Sequence, residues 1–160
     1  MFVSVTRLRI RSIFYVPQFC WYAVRSRQRA QRAPGLVAGR VMREVRNAFW
    51  TMTAWENEAA MEAFRIQSAH RDAMLKLLDW CDEASLAHWT QESRELPSWQ
   101  EAYEQLIKDG RPSKVRHPSA AHWLAPRPGR LFRAFGPASA KPRLPSIEGK
   151  TCVTSLGRVG

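Results

Sequence analysis

No aspartate or glutamate occurs in the first 43 residues of this 160-residue chain, and cysteine is scarce. Cys20, Cys81 and Cys152 stand far apart, with no CxxC pair and no Cys/His spacing of a zinc site. That excludes a disulfide-stapled scaffold and a zinc module, and it suits a reducing, cytoplasmic setting. Cys20 and Cys81 fall in apolar helical stretches, so both are expected as small buried hydrophobes. Long apolar runs are missing too. The longest, IFYVPQFCWYAV at 13–24, has twelve residues and is interrupted by Pro17, short of the roughly 20 that a membrane-spanning helix needs. There is no phosphate-binding glycine loop, HExxH motif or Ser-His-Asp constellation. No motif names a reaction.

The charge that is present lies in blocks. Residues 1–46 hold ten arginines and one acid, 47–110 hold five basic and twelve acidic residues, and 111–160 hold ten basic residues and one acid. The net +11 therefore describes two ends and not a uniform surface. An acid-free, Arg-rich start is also how a mitochondrial transit peptide reads, but the strand-like alternation of 2–10 argues for a folded element. Arg25, Arg27, Arg29 and Arg32, with the basic tail, could bind phosphates without sequence preference. Those arginines are not interleaved with exposed aromatics and no nucleic-acid module is recognisable, so a solvated helix end without a nucleic-acid partner is expected.

Hydrophobic periodicity organises the rest. FVSVTRLRI (2–10) alternates as a strand. Pro17 fits the first turn of a helix whose inner face is expected to carry Val16, Phe19, Cys20, Ala23 and Val24, and Pro34-Gly35 stops it. LVAGRVMRE (36–44) and AFWTMTAW (48–55) read as a hairpin around Arg46-Asn47, because Asn tolerates the left-handed turn conformation. Asn57 caps a helix that points Met61 and Phe64 inward. A break at Gln67-Ser68 leads to a second segment with Ala73, Met74, Leu77, Leu78 and Cys81 on one stripe. ASLAHWT (84–90) is the fourth strand. Ser98-Trp99-Gln100-Glu101 forms a capping box for a last helix ending at Gly110.

The order β-α-β-β-α-β predicts a ferredoxin-like antiparallel sheet of the α+β class, with an extra C-terminal helix. Strand three carries Trp50, Met52 and Ala54 on one side and Phe49 and Trp55 on the other. Both sheet faces therefore need cover, and a homodimer stacked on the free face is expected. Residues 1–117 form the domain. From 118 to 160 periodicity fades among prolines, predicting a disordered basic tail.

The run Phe49-Trp50-Thr51-Met52-Thr53-Ala54-Trp55-Glu56, followed by Ala60, Met61, Phe64 and Ser68-Ala69-His70, resembles the dimeric α+β barrel superfamily. Its best-known branch holds the antibiotic-biosynthesis-monooxygenase-like domains. Downstream, Trp80, Trp89, Pro97, Trp99, Glu101, Ala102, Leu106, Gly110 and Pro118-Ser119 are similar to an uncharacterised branch, so the resemblance spans about 1–119. It implies a dimer and a chemistry from a set that includes cofactor-free oxygenation and haem binding or degradation. Haem degraders carry Asn, Trp and an axial His where this chain has Thr6, Phe64 and Met74; none of the three agrees. A haem ligand here would be His70.

His70 and Met74 share a helix face at i, i+4 spacing, either as a pocket wall with His70 as base or as ordinary helix packing. His88 is a second candidate on strand four. Trp50, Trp55 and Phe64 could wall a flat apolar ligand or simply fill the core. Asp79, Asp82 and Glu83 read as a solvated helix end. The expected function is binding of a small planar apolar ligand between sheet and helices, with a cofactor-free monooxygenase-like enzyme as the leading version. A non-enzymatic structural or ligand-sensing dimer, or a haem-binding protein using His70, are the alternatives. No cofactor and no metal are predicted.

Overall fold

The computed structural model describes residues 1–66 and 68–123, side chains of 68–71 excepted. Strand β1 (Phe2–Ile10) leads through a 3-10 turn at Ile13–Tyr15 into helix α1 (Val16–Ala30). The hairpin β2 (Leu36–Glu44) and β3 (Ala48–Trp55) follows, then α2 (Glu58–Arg65), α3 (Ser68–Trp80), β4 (Cys81–Thr90), α4 (Trp99–Asp109) and a short β5 (Arg111–Pro112). The strands form one antiparallel sheet in the order β2-β3-β1-β4-β5. This is the ferredoxin-like arrangement with one short strand added at the edge.

Local chemistry explains the joints. Arg46 and Asn47 turn the hairpin at φ of 60° and 57°, the two left-handed residues that a tight hairpin requires. The Asn57 carboxamide oxygen accepts the Ala60 amide at 2.9 Å and starts α2. The Ser98 hydroxyl accepts from the Glu101 amide at 3.2 Å while the Glu101 carboxylate takes the Ser98 amide at 2.6 Å, completing the capping box of α4. Strand β4 begins at Cys81 directly after α3, three residues earlier than the sequence suggests. Cys81 is therefore buried in a strand and not on a helical stripe, and burial pushes its thiol up to about 12. Cys20, expected inside, is exposed.

Alternation sorts side chains onto two faces. One face packs against α1–α3 in two aromatic clusters. Phe2, Trp55, Met61 and Phe64 make the first, with Ala30 from the end of α1. Ile10, Phe49 and Trp80 make the second, with Phe19 from its start. The opposite face carries Val3, Val5, Trp50, Met52 and Ala87, and it is not left bare for another chain. Ala102 and Leu106 of α4 lie on it, and Val3, Val5 and Met52 are fully buried within this one chain. The expected free sheet underside is covered by α4 in cis.

Further along this α4-covered face, Arg7 meets two carboxylates. It donates from Nη1 to Glu83 Oε2 at 2.7 Å and from Nε to Glu44 Oε2 at 3.3 Å. Glu44 also accepts the Trp50 indole N–H at 2.9 Å. Arg9 makes a two-pronged pair with Asp82 at 2.7 and 2.8 Å and reaches Glu83 Oε1 at 2.9 Å. The Asp82 hydrogen bonds hold the Arg9 guanidinium more firmly protonated than usual. Asp82 and Glu83 are thus members of a partly buried ion network and not of a solvated turn, because β1 places two arginines beside them.

The C-terminal segment extends this packing past the expected boundary at 118. Ser119 donates from its hydroxyl to Glu83 Oε1 at 3.1 Å and from its amide to the Asp82 carbonyl at 3.0 Å. His122 is buried, and its Nδ1 accepts the Ala84 amide at 3.4 Å. Residues 118–123 belong to the packed structure, whereas the rest of the expected tail, 124–160, lies outside the described residues.

Replacing Arg7 takes from the buried Glu44 its ion-pair partner and leaves it the Trp50 indole N–H, while Glu83 keeps Arg9 and Ser119. Arg7→Ala is expected to cost roughly 3–5 kcal/mol, read as a lowered urea midpoint. A loss within about 0.5 kcal/mol, the range of ordinary surface changes, would show that the network carries no stability.

Candidate functional site

The sheet face under α1–α3 is not apolar throughout. Between its two aromatic clusters run two cross-strand ranks set by register. Gly39, Thr53, Ser4 and His88 line up in one, and Val41, Thr51, Thr6 and Leu86 in the next. Four hydroxyls thus occupy the centre of a face that elsewhere carries Phe2, Trp55 and Phe49. Thr51 is exposed although β3 is an interior strand, and Ser4, Thr6, Thr53 and Leu86 are half-buried. Solvent therefore reaches the middle of the sheet beneath the helices. Helix α1 spans the gap, touching one cluster through Phe19 and the other through Ala30.

The result is a strip of half-buried to exposed hydroxyls on the sheet, with a buried aromatic cluster at each end. At one end the Trp55 indole N–H donates to Thr53 Oγ1 at 3.0 Å, fixing both side chains, and the Trp55 and Phe64 rings lie 5.3 Å apart. His88 sits beside Phe2, ring centres 5.6 Å apart. Its pKa is lowered, chiefly by desolvation, with Arg65 and Arg111 acting in the same direction and Glu58 and Glu62 opposing. Desolvation thus favours the neutral imidazole, the form able to accept a proton.

The structure separates several residues expected to share one pocket. Trp50 faces α4 and Trp55 faces α2, so the two indoles lie on opposite sides of the sheet, as period-two alternation demands. Trp55 and Phe64 stand together at the end of the strip. Met74 is exposed and does not line it, because α3 turns Ala73 inward instead. His88 is exposed at the strip's edge. His70 lies in the first turn of α3, where the side chain is outside the described residues. Trp21 is exposed on α1.

Sequence reading missed the hydroxyl floor, although its signal was present: Ser4 and Thr6 alternate with Val3, Val5 and Arg7, and Thr51 and Thr53 with Trp50, Met52 and Ala54. For haem, the structure supplies no ligand at the positions used by the degraders. Phe64 is packed against Trp55 and Met74 is turned outward. Among the described residues no cluster of three His, Cys, Asp or Glu side chains could hold a metal ion.

Residues 16–111 match the family described as a domain of unknown function, DUF3291, and the chain belongs to that family. No curated protein matches it. Among solved structures, the fold is similar to a mutant form of SnoaB, a cofactor-independent oxygenase from Streptomyces nogalater. The TM-score there is 0.51 at 18% identity, over 61% of this chain and 97% of that one. A proposed antibiotic biosynthesis monooxygenase from Deinococcus radiodurans aligns with TM-score 0.52 at 15% identity, over 61% and 100%. A conserved protein from Methanosarcina mazei aligns with TM-score 0.52 at 12% identity, over 57% and 92%. The fold is thus one shared with antibiotic-biosynthesis-monooxygenase-like proteins.

Proposed function

We propose that this DUF3291 chain binds a small, flat organic molecule bearing hydroxyl or carbonyl groups at the hydroxyl strip between its sheet and α1–α3. The observation that carries the reading is the pair of hydroxyl ranks at the solvent-reachable centre of an otherwise aromatic face. An apolar core needs no hydroxyls there, and a ligand with polar substituents on a planar body would use both features. Ser4, Thr6 and Thr51, half-buried or exposed, would pair with its polar edge, beside the buried cluster of Phe2, Trp55 and Phe64 that closes one end of the strip.

The enzyme version of this reading follows SnoaB in chemistry as well as fold. A neutral His88 takes a proton from an acidic phenolic or benzylic position, and the electron-rich anion reacts directly with dioxygen. At a methylene carbon one dioxygen is consumed. One of its oxygen atoms becomes the new carbonyl, and the other leaves as water with the two methylene hydrogens. The carbon is oxidised by the four electrons that dioxygen accepts, so no reductant is needed. His70, the base expected from sequence, would act from the α3 side. The alternative of haem binding rests on His70, whose side chain lies outside the described residues; a Soret shift on adding haem that His70→Ala abolishes would support it, and an unchanged spectrum would remove it.

The test uses a panel of polycyclic phenols and hydroquinones, followed by fluorescence titration and an oxygen electrode. Wild-type protein is expected to bind at least one and consume oxygen. Thr6→Val/Thr51→Val is expected to weaken binding by about tenfold per lost hydrogen bond. His88→Ala is expected to lower the rate by roughly 100-fold or more with binding retained. Because the His88 pKa is depressed, the rate should rise with pH through a value below that of free histidine and level off by neutrality. Binding without oxygen uptake would leave a ligand sensor in place of an enzyme. Binding indifferent to both threonines would remove the strip from the account.

Self-association belongs to the same reading on a narrower basis than a bare sheet face. With α4 covering Val3, Val5 and Met52, the surface left for a second copy is the long edge strand β2, where Val37 and Val41 are exposed. Sedimentation of the full chain should give twice its 18.4 kDa mass; a monomer at all concentrations would exclude the dimer.

A further inference from the structure

Helix α1 is rotated relative to its sequence expectation. Only Phe19 and Ala30 are buried, while Cys20, Ala23 and Val24, assigned to the inner face, are exposed. The outward side carries a stripe of large apolar groups: Ile13 at 56% exposure, Phe14 at 85%, Trp21 at 54% and Val24 at 52%, with Pro17 between them. Pro17, Trp21 and Val24 share one face of α1, and Ile13 and Phe14 stand on the 3-10 turn that leads into it, so the stripe has the pattern of a core without a core to meet. Around it stand Arg25, Arg27, Arg29 and Arg32, all exposed, and the chain has no acid before Glu44. The Arg25 guanidinium lies over the Trp21 ring at 4.5 Å, placing a cation and an aromatic edge side by side.

We infer that this face of α1 seats on an anionic membrane surface, with Phe14 and Trp21 entering the headgroup boundary and the arginines pairing with lipid phosphates. The charge pattern selects this occupant. An isologous contact with a second copy would set Arg25 and Arg29 against like charges. Nucleic acid would use the arginines but has no use for aliphatic Ile13 and Val24. An interfacial helix combines an exposed apolar stripe with flanking basic groups. The acidic helix α4, with exposed Glu101, Glu104 and Asp109, lies on the opposite side of the sheet, while the exposed acids on α1's own side, Glu56, Glu58 and Asp72, belong to α2, its entry and α3. No described helix is long and apolar enough to cross a membrane, and the contact is peripheral.

The experiment is co-sedimentation of the full chain with phosphatidylcholine vesicles, with and without phosphatidylglycerol. Binding is expected only to the anionic vesicles and should weaken as salt rises. Phe14→Ser/Trp21→Ser should lower the affinity at least about tenfold with circular dichroism and melting temperature unchanged. Arg25→Glu/Arg29→Glu should abolish the preference for anionic lipid. Retained binding in the Phe14/Trp21 variant would place the interaction in the basic C-terminal stretch and overturn the proposal. So would absence of vesicle binding alongside a gel shift with RNA or DNA, or light scattering in which that variant converts an oligomer to a monomer.

Discussion

Strand β1 holds the molecule in register, and Arg7 is the residue on which that register turns. It lies on a central strand, joined on one side to β3 and on the other to β4. Its guanidinium bridges Glu44 at the end of β2 and Glu83 on β4, while Arg9 doubles the link through Asp82. Sliding β1 by one residue would carry both arginines to the opposite face and away from every one of these carboxylates. The same slip would move Ser4 and Thr6 under α4, among Val3's present neighbours. The ion network and the hydroxyl floor are therefore two sides of one alternation: the charges can be satisfied only in the register that points the hydroxyls at the helices.

Much of this was legible beforehand, and the misses have physical causes. The element order, the Arg46-Asn47 hairpin, the Asn57 cap and the Ser98 box each rest on local chemistry and appear as expected. The cover over the second sheet face was misassigned because periodicity shows that a strand is apolar on both sides without showing which element supplies the second layer. The orientation of α1 was misjudged for a related reason. Its sequence offers two apolar faces, one with Phe19 and one with Trp21 and Val24, and only tertiary packing chooses between them. Asp82 and Glu83 looked solvated because their partners, Arg7 and Arg9, lie more than 70 residues away. Trp50 and Trp55 were grouped by residue type, although their odd spacing already placed them on opposite sides.

The candidate site shows how function can hide in ordinary residues. Ser4, Thr6, Thr51 and Thr53 form no motif, and none has the chemistry of a nucleophile in a recognised constellation. Their meaning comes from convergence, since two neighbouring strands in register, β1 and β3, set small polar groups between Phe2 and Trp55 at one end and Phe49 at the other. The buried cysteine and the ion network lie elsewhere and serve the frame.

The central claim is that register-aligned hydroxyls on the helix-covered sheet face form a ligand floor. Amide chemical-shift mapping during titration with a bound polycyclic phenol tests it most directly. The account predicts the largest changes at Ser4, Thr6, Thr51, Thr53 and His88, with Val3, Val5 and Met52 moving less. Changes concentrated around Trp50, Tyr103 and α4, with the threonines unmoved, would contradict it.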